Sequence, residues 1–435
     1  MSAEALAKVS AVGEPLVLYA SSAMSRSTTP INSESTCRRS TSGGDALGFA
    51  MIWIRGHSLF DGYRNVDVPT VTIDDTRVVA VGEERPPTGA EIVEVGDAAL
   101  LPGLVDCHQH LCFEALSADA AETPGDALTT QAERSARRAL AAGITTIRDL
   151  GDRDFATFPL RGRDDLPTLL CSGPPITAPN GHCWYLGGEV DPIAGESALR
   201  EAVRERIERG CDVVKIMVTG GFLTPTHPMW SPQFSLDDLR IMVDEAHQHR
   251  APVAAHCHGP AGIEQAVRVG VDTIEHCSFV DEGVVIDPDP ALLQLVADSR
   301  IPASVTIGQL PSVPVPEVMA RLEAPARATR RRLHELGATL VPGTDAGVGP
   351  AKPHDVMTYA LAEFVACGLT PRRSLQAMTA DAAAACGVGT SKGRIAVGFD
   401  ADLVAFAGHP ADDLDAIHEP VTVWTRGLRQ DSGSK

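Results

Sequence analysis

The chain has 435 residues, of which 44% are hydrophobic and 22% charged. That length and composition exclude a wholly disordered chain and leave room for a large core with a smaller companion. A formal charge of −20 argues against nucleic acid or anionic membrane as the main partner, because both need a basic footprint, and no apolar run approaches a membrane span.

Residues 1–50 are rich in Ser, Thr and Ala and show no helical or strand period, so a disordered extension, or a start upstream of the natural one, is expected there. The stretch Leu16 to Ala23 is too short and too poorly flanked by basic residues for a signal peptide. From Met51 to Leu101 short β-type runs alternate with turn signals (MIWIRG, TVTIDDTRVVAVG, AEIVEVG), and the style returns at 393–406 and 421–427. Residues 51–101 and 388–435 are therefore expected to form one β-sandwich from both ends of the chain.

Between them, strand and helix signals alternate. Candidate strands are Leu104–His108, Thr145–Leu150, Thr168–Gly173, Val213–Val218, Val253–His256, Thr273–His276, Ala303–Ile307 and Thr339–Gly343. Leu199, Val203 and Ile207 recur at helical spacing before Gly210, Ser235 and Asp238 form a capping-box-like start, and Thr370-Pro371 reads as N-cap and first helical residue. Eight strands alternating with helices over about 250 residues predict an α/β fold with a (β/α)8 TIM-type barrel at 102–387. The rival, a doubly wound sheet, lacks a GxGxxG after its first strand.

Ten cysteines stand singly without a CxxC pair, which predicts reduced thiols in a cytoplasmic protein. Cys107, Cys257 and Cys277 neighbour histidines, but strand alternation turns them away from those histidines and into packing.

Chemistry-bearing residues cluster at the carboxyl ends of these strands. His108 and His110, two apart on the first strand, can converge on one ion. His247 and His249 share that spacing on a helix, where they diverge, and are expected at the surface. Lys215, one of five lysines, interrupts an apolar strand. A buried ammonium must be neutralised, paired or chemically changed, and an ion pair at the strand end is the plain alternative. His256, His276 and Asp345 end three further strands, while Arg148-Asp149 reads as a structural ion pair with the arginine able to reach an anionic substrate.

His108-x-His110, Lys215, His256, His276 and Asp345, in this order, resemble the amidohydrolase superfamily, and Gly393 to Leu403 resembles the tail of members with a β-sandwich beside the barrel. The resemblance implies two divalent metal ions. His108, His110 and Asp345 would hold one and His256 and His276 the other, with Lys215 as a bridging carbamate. Zinc is expected first, with manganese, cobalt or iron able to use the same donors. It further implies hydrolysis of an amide-like C–N bond by a hydroxide between the metals, with Asp345 moving the proton.

In the subgroup resembling Xaa-Pro dipeptidases and imidazolonepropionase, a histidine near the position of His182 binds substrate. His182, Tyr185 and His227 are accordingly candidates to contact a substrate carboxylate or carbonyl, with ordinary loop roles as the alternative. The expected substrate is a small molecule, a dipeptide or N-acyl amino acid ahead of a cyclic amide or carbamoyl compound; a homo-oligomer stays open. A single-metal deaminase is disfavoured, since the position three beyond His256 is Gly259 rather than glutamate. A non-catalytic scaffold is disfavoured because every ligand position is filled.

Overall fold

The computed structural model describes residues 51–114 and 122–430, apart from 223, 225, 283 and 316. The expected extension at 1–50 lies outside the described residues. In chain order the strands are β1 Ile52–Arg55, β2 Ser58–Leu59, β3 Thr70–Asp74, β4 Arg77–Val81, β5 Glu91–Glu94, β6 Ala99–Pro102, β7 Leu104–Gln109, β8 Ile144–Asp149, β9 Thr168–Cys171 and β10 Val214–Met217. They continue as β11 Val253–Cys257, β12 Thr273–His276, the hairpin β13 Val280–Asp281 and β14 Val284–Val285, β15 Ala303–Thr306, β16 Leu340–Gly343, β17 Leu403–Phe406, β18 Pro420–Thr425 and β19 Leu428–Gln430.

The middle of the chain is mixed α/β. Strands β7-β8-β9 form one parallel sheet and β10-β11-β12-β15-β16 another. Isolated parallel bridges link their edges, Ile176 with Ile216 and Gln109 with Ala346. All eight expected strands form, within two residues of the expected bounds. Strands buried on both faces carry near-continuous apolar runs, which is what made them visible.

The helices between them are α1 Gly125–Ala141, α2 Glu196–Glu208, α3 Leu236–Gln248, α4 Pro260–Val269, α5 Pro290–Ser299 and α6 Glu317–Glu335. Leu199 and Val203 of α2 are buried, and Gly210 follows that helix at φ +85°. Ser235 and Asp238 make the expected capping box of α3, and the Thr370 side chain caps the helix that begins at Pro371. The alternation fails once: β8 and β9 are joined without an α-helix, through the short 3-10 turn Phe158–Leu160. Among the described residues no helix is long and apolar enough to cross a membrane.

The two ends of the chain share sheets. One sheet has the order β4-β3-β1-β5, and the other, β19-β18-β17-β6-β2, joins N-terminal to C-terminal strands. Ile54, Val71 and Ile73 from the first meet Leu100, Leu403 and Trp424 from the second in one buried apolar cluster.

Candidate metal centre

Strand β7 delivers His108 and His110 to one side of the site, and the backbone beyond β16 delivers Asp345. The Asp345 N–H donates to the His108 carbonyl at 2.8 Å, which ties these two chain segments together. Below them Asp106 is fully buried and accepts from the His108 N–H (3.1 Å), Gln109 Nε2 (2.7 Å) and the Thr344 N–H and hydroxyl (3.1 and 2.7 Å). A carboxylate so surrounded locks the register of β7 against β16.

Each histidine of this group has one nitrogen occupied by the protein. His110 Nδ1 lies 3.0 Å from the Gly151 carbonyl and His108 Nδ1 3.1 Å from Glu275 Oε2. With Nδ1 turned to these acceptors, both Nε2 atoms face Asp345, at 3.2 Å from His110 and 3.5 Å from His108. Burial raises the Asp345 carboxyl, but the His110 hydrogen bond and the neighbouring imidazoles overcome it and hold the group well below the carboxylate range. Burial lowers His108 to about 4, with the Lys215 charge adding to the effect.

The second group stands on β11 and β12. His276 Nε2 is 2.9 Å from His256 Nδ1; His276 Nδ1 faces the Thr306 hydroxyl at 3.1 Å, and His256 Nε2 faces the Gly220 carbonyl at 3.1 Å. His258 stacks on His276 with ring centroids 4.3 Å apart. Burial and the surrounding histidines push His256 and His276 well below the usual imidazole range.

Two donor triads result, His108-His110-Asp345 and His256-His258-His276, each with its ligand atoms within 4.8 Å of one another. Two nitrogen or oxygen donors, each about 2.0–2.1 Å from a tetrahedral ion, stand roughly 3.3 Å apart. The contacts of 3.2 and 3.5 Å at Asp345 match that spacing. His108, His256 and His276, lowered toward the neutral form, beside an ionised carboxylate are also in the protonation states that ligation needs, whereas burial of His110 is outweighed by the Asp345 hydrogen bond and charge, which raise it. The donors thus fit a divalent ion in each triad.

Lys215 on β10 is buried, and its Nζ has no hydrogen-bond partner among the described residues. Its charge lowers His108 in one group and His256 and His276 in the other, so it acts on both. Burial brings its own pKa down to about 8. The plain ion-pair reading of Lys215 therefore finds no partner within bonding distance among the described residues.

Of the candidate substrate residues, His182 comes closest, its ring centroid 4.6 Å from that of His256 and its Nδ1 3.0 Å from the Thr224 hydroxyl. Tyr185 is buried with its hydroxyl 4.0 Å from Cys183 Sγ. His227 meets its chain neighbour Thr226 at 3.4 Å and makes no contact with the histidine groups among the described residues. His247 and His249 sit at the surface near Asp272 and Glu245, as their helical spacing requires. Nine described cysteines are free, and Cys107 faces Ala382 and Cys386 rather than the site.

The expected Arg148–Asp149 ion pair is not formed. Arg148 Nη2 binds Glu275 Oε1 at 2.7 Å, while Asp149 accepts from the Leu111 and Gly151 N–H groups at 2.7 and 3.2 Å. Neighbours on a strand point to opposite faces, so pairing across the interior wins. Sequence reasoning passed over His258 and Glu275. His256-x-His258 repeats the spacing that singled out His108-x-His110, and that signal was available. Glu275 carried none, since its partners lie on β7 and β8.

Imidazoles and a carboxylate gathered at the carboxyl ends of parallel strands make two groups of metal-type donors. A model of the amidohydrolase family matches residues 99–429, and the chain belongs to that family, whose members are hydrolases of C–N bonds. The chain is 28% identical over 358 residues to the ochratoxinase of Aspergillus niger, covering 74% of this chain and 73% of that protein. It is 27% identical over 386 residues to the imidazolonepropionase of Anaeromyxobacter sp. (strain K), covering 77% and 83%. A crystal structure of a prolidase complexed with N-methylphosphonate-L-proline superposes with a TM-score of 0.76 at 25% identity, over 88% of this chain and 99% of the other.

Proposed function

We propose that this amidohydrolase cleaves an amide-like bond in a small carboxylate-bearing molecule, a dipeptide or an N-acyl amino acid, in the manner of an Xaa-Pro dipeptidase. Lys215 carries the two-metal part of that reading. A buried amine with no partner among the described residues, its pKa lowered by burial to about 8, reaches the unprotonated form near neutral pH. Its nitrogen lone pair can then bond to the carbon of carbon dioxide, releasing a proton and leaving an anionic carbamate. An anion there suits two cations as an ammonium does not.

On this reading His108, His110 and Asp345 hold one ion, and His256 and His276, with His258 beside them, hold the other. Zinc is the first expectation, and manganese, cobalt or iron suit the same donors. When bound, such ions polarise a carbonyl and make hydroxide available from water at neutral pH. Asp345, kept ionised by its histidines, takes the proton of the attacking water and returns it to the leaving nitrogen. His182, held neutral by burial, offers a hydrogen bond to a substrate carbonyl or carboxylate, with Tyr185 and His227 as further contacts.

The eight parallel strands and their two edge bridges support a closed (β/α)8 barrel at 102–387, and the shared apolar cluster supports a β-sandwich from 51–101 and 388–435. A reducing, cytoplasmic setting is part of the same reading, because the ten cysteines stand singly without a CxxC pair. The likeness to imidazolonepropionase favours a second reading, hydrolysis of a cyclic amide.

The test is metal analysis of the purified chain, followed by a hydrolysis screen of Xaa-Pro dipeptides, N-acyl amino acids and cyclic ureas with added zinc, manganese or cobalt. Two ions per chain and turnover of the dipeptides are expected. Turnover of cyclic amides alone would move the assignment to the second reading. Lys215→Met with two ions and full kcat would remove the carbamate bridge.

A further inference from the structure

Glu275 precedes His276 on β12, and strand alternation should turn the two to opposite faces. Both nonetheless engage the site, because His276 adopts φ +66° and the chain changes direction there. A left-handed backbone at a non-glycine residue is disfavoured by roughly 1 kcal/mol or more, so it marks a place where surrounding contacts impose the conformation.

The Glu275 carboxylate is wholly buried and all its described partners are donors. Oε1 accepts from Arg148 Nη2 at 2.7 Å and from the Thr273 hydroxyl at 2.6 Å. Oε2 stands 3.1 Å from His108 Nδ1. Arg148 is itself anchored, its Nε donating to the Cys107 carbonyl at 2.8 Å, one residue before His108. The chain from β8 through β12 to β7 thus ends on a single ring nitrogen.

We infer that Glu275, clamped by Arg148, is a positioning residue that holds His108 as its Nδ1–H tautomer and aims Nε2 at the donor group with His110 and Asp345. An ionised carboxylate has no proton to give, so the shared proton belongs to the imidazole. The other nitrogen is then a lone-pair donor with its direction fixed. A carboxylate behind a ligating imidazole raises the basicity of the ligand and fixes its orientation. Glu275→Gln would keep the shape but present an amide N–H to Arg148 or to His108, so one of the two contacts is lost.

The inference rests on the reading of His108 as a metal ligand, and the experiment separates the two. Zinc stoichiometry and affinity are measured by chelator competition for wild type and Glu275→Gln, with the unfolding midpoint of each metal-free protein alongside. One ion is expected to loosen by about 10–100-fold in Glu275→Gln. In parallel, ¹⁵N spectra of metal-free wild type, with His108 assigned by its loss in His108→Gln, should show Nδ1 protonated, and in Glu275→Gln that preference should weaken. A merely structural Arg148–Glu275 pair would shift the unfolding midpoint and leave the tautomer alone. Unchanged zinc affinity, or a His108 protonated at Nε2 in wild type, overturns the inference. Wild type that binds no ion would instead defeat the metal-centre reading, and the tautomer would still decide the role of Glu275. Should Glu275→Gln fail to fold, the wild-type spectrum decides alone.

Discussion

Asp345 carries two demands that few carboxylates meet together. On the proposed reading it stays ionised while half-buried against His108 and His110, and it exchanges a proton during turnover. The imidazoles satisfy the first by outweighing the burial that would protonate it. Asp345→Asn keeps the shape and loses the proton acceptor, so kcat is expected to fall by roughly 10²–10⁴ with little change in the unfolding midpoint. Steady-state kinetics beside metal analysis check this, and a metal-loaded variant with most of its kcat would remove Asp345 from the chemistry. Asp152 makes a contrasting case. Burial, aided by Asp149, raises its carboxyl to about 7, and among the described residues its Oδ1 has no partner while Oδ2 accepts from Thr157. Its folded pKa lies above the unfolded value, so the folded state binds the extra proton and stability falls as pH rises from about 4 through 7. Asp152→Asn should flatten that slope and gain on the order of 1–3 kcal/mol relative to wild type at pH 8, read from denaturant unfolding at several pH values.

At the scale of elements, the parallel strands were legible because burial on both faces leaves uninterrupted runs such as Val213–Val218. Helix starts were legible because Ser235 and Thr370 are local chemistry, decided within four residues. The β8–β9 connection was not, since a chain that packs without a helix there leaves no periodic trace. The Arg148–Glu275 pair was not either, because 127 residues separate partners that meet only once the strands are assembled. The same limit applies to the loop after β10. A Cβ on Gly221 would lie 2.1–2.4 Å from the His182 ring, whose Nδ1 is already held by Thr224 at 3.0 Å. The sequence shows only a pair of glycines; the close approach to His182 gives one of them a reason. Gly221→Ala should therefore displace His182 and lower kcat/KM by about 10–100-fold, mainly through KM, while leaving the unfolding midpoint nearly unchanged. An unaltered KM would mean that His182 does not touch the substrate.

Across the whole molecule, the site depends on how the chain ends are fastened to β7. Lys392 is buried and bonds both Asp400 Oδ2 (2.7 Å) and Asp402 Oδ2 (2.6 Å). Asp402 in turn accepts from the Arg426 N–H at 2.8 Å through its side chain, and its carbonyl accepts from the Gly103 N–H at 2.9 Å, one residue before β7. One ammonium therefore bridges two carboxylates at the junction of β6, β7, β17 and the β18–β19 turn, and Arg77 pairs with Asp400 from its other oxygen. Lys392→Met leaves Asp402 without a counter-charge, while Asp400 keeps its ion pair with Arg77. Breaking a buried pair from one side costs about 3–5 kcal/mol, mostly through the charge left behind. The variant should lose stability of that order in denaturant unfolding, while the folded fraction keeps its metal content and kcat at low temperature, because Lys392 contacts none of the donor residues. Adding Asp402→Asn to Lys392→Met removes the stranded charge and should recover part of the loss, since the amide oxygen can still accept from Arg426. No recovery would mean that packing of the lysine stem, rather than its charge, holds the junction.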